Sequence, residues 1–210
     1  MREIDENELA LYATLGCGIQ AGAGTVLNEL KPRANEPVAV FGAGTVGLAA
    51  VMAARMAGAA PIAAVDIVPS RLELAEELGA TIVVNAANED AGKRLREIVG
   101  GVAGAVETTG RSRSIDTAVK SLGPGGSLSL LAVPADEERV SPQSPGPGQR
   151  VFNSVAGDSD PQMFIPFLIH CRQEGKFPFH RLIREYRASE INAAVQDSLD
   201  GVTIKPLLRF

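Results

Sequence analysis

Apolar residues recur along the chain in two alternating patterns. Short runs rich in Val, Ile and Ala fall at 38–41, 62–66, 81–84, 105–108, 128–132 and 151–155, lengths that suit strands better than helices. Between the first five lie stretches of helical length at 46–57, 70–78, 89–99 and 114–122. The first closes at Gly58, the second opens on Ser70-Arg71-Leu72-Glu73, a capping-box pattern, and closes at Gly79, and the third closes at Gly100-Gly101. After the fourth, Gly123-Pro124-Gly125-Gly126 predicts a turn. The second to fourth runs carry almost continuous apolar character, which is expected of strands covered by helices on both faces. The pattern predicts an α/β Rossmann fold, a doubly wound parallel sheet of six strands.

Beyond the sheet the pattern changes. Residues 134–150 combine acidic residues with Ser141-Pro142-Gln143-Ser144-Pro145-Gly146-Pro147-Gly148 and read as a long, mobile loop. Helical spacing returns at 163–172 and 188–199, followed by a terminal strand at 203–208 interrupted by Pro206. This C-terminal tail reads as part of another unit, and its apolar residues Phe164, Phe167 and Leu168 are expected to be exposed, with self-association or a remodelled tail as the result.

Composition narrows the function. With 20 Lys and Arg against 25 Asp and Glu, the net charge is −5, and no basic cluster offers nucleic acid a surface. The acidic N-terminus lacks the apolar core of a signal peptide, and the low-charge stretch 42–54 holds three glycines and is too short to span a bilayer. Two distant cysteines, Cys17 and Cys171, form no disulfide framework. A cytoplasmic protein without a membrane or nucleic-acid partner is expected.

The candidate chemistry lies at Gly42-Ala43-Gly44-Thr45-Val46-Gly47, directly after the first run and opening the first helix. A pyrophosphate needs donors, and a helix N-terminus offers unpaired N–H groups and the positive end of its dipole. Gly42 would make the tight turn, Gly44 would leave room for the pyrophosphate, and Gly47 would let the helix pack against the sheet. The second run ends in Asp66, near the offset of about 20 residues expected of the acid that binds the ribose hydroxyls. A carboxylate there accepts from both hydroxyls and repels a 2′-phosphate, so NAD is favoured over NADP. Arg71 either flanks the adenine, offers charge to a 2′-phosphate, or is a plain surface charge.

The segment Leu15-Gly16-Cys17-Gly18-Ile19-Gln20-Ala21-Gly22-Ala23-Gly24-Thr25 resembles the zinc-type, medium-chain alcohol dehydrogenases, where it joins the two domains. The resemblance continues through 38–47, Ala64-Val65-Asp66-Ile67, Glu107-Thr108-Thr109-Gly110 and the ending Ile204-Lys205-Pro206-Leu207-Leu208-Arg209-Phe210, with the aryl- and benzyl-alcohol branch most similar. It implies a linker or helix of an incomplete catalytic domain over 1–17, an NAD-binding domain over 18–157 and a C-terminal return segment over 158–210. It implies cofactor contacts from Gly42, Gly44, Thr45, Val46, Gly47, Asp66, Ile67, Arg71, Thr109, Gly110, Ala132 and Val133, with Lys205 set against the pyrophosphate. Cys17 matches a thiolate ligand of the catalytic zinc, and the alternative is a small apolar residue between glycines. His170 and His180 match no ligand motif, and the family's remaining ligands, proton relay and structural zinc site have no counterpart in the 210 residues.

Two functions follow. The first is the NAD-binding part of a zinc-type alcohol dehydrogenase, inactive alone, with zinc not expected on the chain and a catalytic domain or a second copy as its partner. The second is a non-catalytic nucleotide-binding module or subunit. A zinc-independent quinone reductase is disfavoured by Cys17 and by the Gly42-x-Gly44 spacing.

Overall fold

The computed structural model describes residues 6–132 and 145–210. Helix α1 (Glu6–Tyr12) leads through a 3₁₀ turn (Ala13–Gly16) to α2 (Gly18–Gly24), which runs on into a π-helical turn (Thr25–Leu30). Strand and helix then alternate: β1 (Val38–Phe41), α3 (Thr45–Met56), β2 (Ile62–Asp66), α4 (Pro69–Leu78), β3 (Ile82–Asn85), α5 (Ala91–Val99), β4 (Val102–Glu107), α6 (Ser112–Ser121) and β5 (Leu122–Leu130). The sixth strand is β6 (Arg150–Asn153), and the tail comprises α7 (Pro161–Gln173), β7 (Ile183–Arg187), α8 (Ile191–Leu199) and β8 (Lys205–Arg209).

The six strands form one sheet in the order β3-β2-β1-β4-β5-β6, every neighbouring pair parallel. The predicted doubly wound sheet is therefore present. Because successive strand side chains point to opposite faces, β1 is divided between two cores: Val38 and Val40 join Leu48, Leu72 and Leu78 on one face, while Ala39 and Phe41 join Leu95, Val119 and Leu128 on the other. Burial on both faces removes the alternation that a half-solvated strand would show.

Several expected boundaries are corrected. The capping box at Ser70 does not form: α4 starts at Pro69, whose fixed φ suits the first helical position, and Val68 at the cap makes no side-chain hydrogen bond. Gly123-Pro124-Gly125-Gly126 does not break the chain between helix and strand. It is an irregularity inside β5, where Val102 pairs with Leu122 and Gly104 with Ser127, so four residues are looped out of the ladder. The fourth and fifth strands end earlier than expected, at Glu107 and Leu130, and Pro206 lies within β8, opposite Arg184. Most of the expected loop at 134–150 lies outside the described residues.

The tail is also less exposed than expected. Phe164 and Leu168 are 9% and 0% exposed and join Cys171, Phe177, Phe179 and Leu182 in the core shared with α2 and α3, whereas Phe167, the third of the named residues, lies open. Asp160 caps α7 by accepting from the Gln162 N–H at 3.0 Å, and burial pushes the Cys171 thiol above its usual range, with Glu174 adding to the effect. Segment 183–210 is different. Its strands β7 and β8 form a separate two-stranded parallel sheet, bridged by α8, with Tyr186 Oη donating to Asp197 at 2.7 Å.

Candidate functional site

The strand order reverses between β1 and β4, because β1 is flanked by β2 on one side and by β4 on the other. At such a switch point the loops leaving the strand ends diverge and open a crevice. Here the crevice is a cleft of about 500 Å³ lined from the carboxyl ends of four strands: Gly42, Gly44 and Thr45 after β1, Asp66 at the end of β2, Ala86 after β3, and Thr109 after β4.

The three glycines of the loop do separable things. Gly42 has φ +93°, and a Cβ there would sit 2.4 Å from Thr108 Oγ1. Only glycine takes this turn without strain. A Cβ on Gly47 would sit 1.7 Å from the Gly42 carbonyl oxygen, so helix α3 can approach the loop only because Gly47 has none. Gly44 faces empty space, with no atom within 4 Å of the place a Cβ would take. It also caps α3 without any side-chain hydrogen bond to the helix, so the first N–H groups of α3 point at an open volume where an anion would be stabilised.

Asp66 stands beside this loop. Its Oδ2 accepts from the Ala43 N–H at 2.6 Å, and its Oδ1 accepts from the N–H groups of Ile67 at 2.7 Å and Val68 at 2.9 Å. The carboxylate thus ties the glycine loop to the end of β2, and Oδ2 keeps a further lone pair for a ligand. Ile67 is exposed beside it. Arg71 lines the same wall, yet its guanidinium donates to the Ser198 carbonyl in α8 at 3.3 Å.

A second carboxylate, Glu107, was not singled out by the sequence pattern. It ends β4 fully buried. Its Oε1 accepts from the Thr109 N–H at 2.9 Å and from the Thr109 hydroxyl, and its Oε2 accepts from the Gly110 N–H at 3.0 Å. Three donors meet a buried charge that would otherwise be costly, and they fix the turn carrying Thr109 and Gly110. The signal available in the sequence was an acid closing an otherwise apolar run. Thr108 completes the junction by donating to the Phe41 and Gly42 carbonyls at 2.9 and 3.2 Å.

The remaining candidates lie around this centre. Val46, at the start of α3, lines the cleft and packs on α2, where a Cβ at Gly22 would meet its carbonyl oxygen at 2.0 Å. Thr45 Oγ1 donates to the Ile204 carbonyl at 3.1 Å, which brings the start of α3 against the residue preceding Lys205. Ala132 follows β5, and Val133 lies outside the described residues. Cys17 is an exposed free thiol at the start of α2. Its neighbour Gly18 abuts Val46 and Thr45, 3.2 and 3.6 Å from the place a Cβ would take, so the chain passes the start of α3 at this point.

The family described as zinc-binding dehydrogenase matches residues 45–169. The chain belongs to this family. Among relatives of the chain, the geraniol dehydrogenase of Castellaniella defragrans is 37% identical over 98% of the chain and 57% of its own length. Of solved structures, the benzyl alcohol dehydrogenase of Acinetobacter calcoaceticus is 38% identical, with a TM-score of 0.92 over 100% of the chain and 59% of its own. An alcohol dehydrogenase zinc-binding domain protein from Burkholderia ambifaria is 43% identical, with a TM-score of 0.87 over 96% and 55%. The chain spans little more than half the length of these relatives.

Two further features of the chain bear on what it could hold. Among the described residues no three His, Cys, Asp or Glu side chains converge, so the described donors do not fit a metal centre, which needs three protein ligands or more. A second cavity, of about 650 Å³, lies at the far end of α3 and includes Arg55, Met56, Phe167 and Cys171. Its ionic groups are largely occupied with one another: Glu174 takes both Lys176 at 2.8 Å and His170 at 3.4 Å, and Lys176 foremost holds the Glu174 carboxyl below its ordinary range. No single helix among the described residues is long and apolar enough to cross a membrane.

Proposed function

We propose that the chain binds NAD in the switch-point cleft and serves as the cofactor-binding part of a zinc-type alcohol dehydrogenase that interconverts alcohols and carbonyl compounds. The observation that carries this reading is the empty volume over Gly44 at the uncapped start of α3, with the Asp66 carboxylate alongside. Gly44, Thr45, Val46 and Gly47 receive the pyrophosphate through backbone N–H groups after the turn that Gly42 makes, with Lys205 adding positive charge, and Asp66 accepts from the ribose hydroxyls beside Ile67. Thr109, Gly110 and Ala132 border the path toward the nicotinamide, and Glu107 holds the first two in place. When bound, NAD supplies a hydride acceptor at nicotinamide C4.

Asp66 presents negative charge, which disfavours a 2′-phosphate, and the Arg71 guanidinium is engaged with the Ser198 carbonyl, which supports NAD over NADP. The proposed units are residues 1–17 and 158–210, belonging with a catalytic domain, and 18–157, the NAD-binding domain. Cys17 occupies a metal-ligand position and offers one thiolate, so we infer that these 210 residues alone bind no zinc and turn over no alcohol. The partner that completes the site is a catalytic domain, with self-association as the alternative. A cytoplasmic setting agrees with two free thiols. The second reading, a nucleotide-binding module without catalysis, is favoured by the lack of converging metal donors among the described residues.

Calorimetric titration with NAD and NADP tests the proposal. Saturable NAD binding, at least about tenfold tighter than NADP, is expected. No NAD binding contradicts both readings, and zinc-dependent alcohol oxidation by the purified chain contradicts the inferred inactivity.

A further inference from the structure

One short stretch of the tail fastens onto both sides of the cleft. On the side of the ribose acid, Ser70 Oγ donates to the Gly201 carbonyl at 3.4 Å and Arg71 donates to the Ser198 carbonyl at 3.3 Å. On the side of the glycine loop, Thr45 Oγ1 donates to the Ile204 carbonyl at 3.1 Å. The fit is close, since Gly201 has φ +74° and a Cβ there would lie 2.9 Å from Val68 Cγ1. Residues 198–204 therefore lie across the mouth of the cleft as a strap.

Within that strap Leu199 lines the cleft although it is 74% exposed. Asp66 and Arg71 line the same cleft, and the Arg71 Nε is buried without a hydrogen-bond partner. An adenosine placed with its ribose at Asp66 has an apolar base face that needs a cover, as ligands in such clefts are held between apolar walls with a few polar anchors. Leu199 is the large apolar side chain that the tail offers at this place.

We propose that the C-terminal turn of α8 is the outer wall of the adenosine end of the cleft, with Leu199 touching the bound adenosine and Arg71 positioning that turn through the Ser198 carbonyl. The proposal rests on the NAD reading above. It makes the tail part of the cofactor site and makes bound cofactor a tie that holds the tail in place.

Calorimetric titration of the chain and of Leu199→Ser with NAD, AMP and nicotinamide mononucleotide tests it, together with amide exchange of α8. Removing one partly buried leucine contact is expected to weaken NAD and AMP by about five- to tenfold each. The mononucleotide affinity and the ligand-free melting temperature stay unchanged, because Leu199 supports no core. Saturating AMP slows amide exchange across 191–199, and Arg71→Met speeds it in the absence of ligand while Arg71→Lys does not. Unchanged NAD and AMP affinities in Leu199→Ser, or an equal loss for the mononucleotide, overturn the proposal. If the unaltered chain binds neither NAD nor AMP, the NAD reading fails and the proposal fails with it.

Discussion

The six-stranded sheet and the terminal β7-α8-β8 unit are both parallel, yet they are covered in opposite ways. In the large sheet every residue of β1 is at most 1% exposed, because α3 and α4 lie on one face and α5 and α6 on the other. In the small one β8 is only half-buried along its length, and α8 leaves Ile191, Val195 and Leu199 open at successive turns. Parallel strands are normally buried on both faces, and a two-stranded sheet is marginal by itself. The first region therefore carries its own cover, whereas the second leans on the first through the contacts of Thr45, Ser70 and Arg71. The chain's coverage of little more than half of its relatives agrees with a terminal unit whose remaining surface meets something further.

Substitutions in the two regions should differ accordingly. The largest effect is expected of Gly47→Val, which forces a side chain into the Gly42 peptide. Overpacking of this kind costs about 3 kcal/mol or more, and denaturant titration should show a much less stable or unfolded chain; a stable Gly47→Val would break the account of how α3 meets the sheet. Next comes Asp90→Ala at the start of α5, where Asp90 Oδ1 accepts from the Lys93 N–H at 2.9 Å, a cap worth about 1 kcal/mol. That hydrogen bond foremost holds the Asp90 carboxyl below its ordinary range. A depressed carboxyl stabilises the fold above its unfolded pKa and loses that contribution as the pH falls through its folded pKa. The gap between parent and variant should therefore be full near neutrality and close in acid, as read by urea titration at both pH values. The smallest effect is expected of Val195→Ser on the open face of α8, within about 0.5 kcal/mol. A larger loss, or a change in sedimentation, would mean that a second copy already covers this face.

Much of this was legible along the chain. The first two strands fall at the predicted residues, and the tasks of Gly42 and Gly47 followed from a strand, a glycine loop and a helix in succession. What escaped depended on distant partners. Strand β7 reads Ile183-Arg184-Glu185-Tyr186-Arg187, mostly polar, and exists because β8 pairs with it from 22 positions further on. Helix α2 reads as a glycine-rich linker, yet its glycines are what allow it to lie against α3: a Cβ at Gly22 would meet the Val46 carbonyl oxygen at 2.0 Å. The exposure expected of Phe164 and Leu168 failed because α7 docks on the core built by α2 and α3. Glu107 and Leu199 went unnoticed for a related reason, since one is recognised by the turn it clamps and the other by a cleft formed from four separate loops.

The central claim is that the volume above Gly44 exists for a ligand and not for packing. Gly44→Val separates the two, because a Cβ there meets no atom beyond its chain neighbours within 4 Å and the backbone stays at φ −84°, an ordinary value. Paired NAD calorimetry and thermal unfolding of the parent chain and of Gly44→Val are predicted to show a melting temperature within a few degrees of the parent, corresponding to about 1 kcal/mol or less, and NAD affinity reduced by about a hundredfold or abolished. Parent-like NAD affinity in a folded Gly44→Val would contradict the claim.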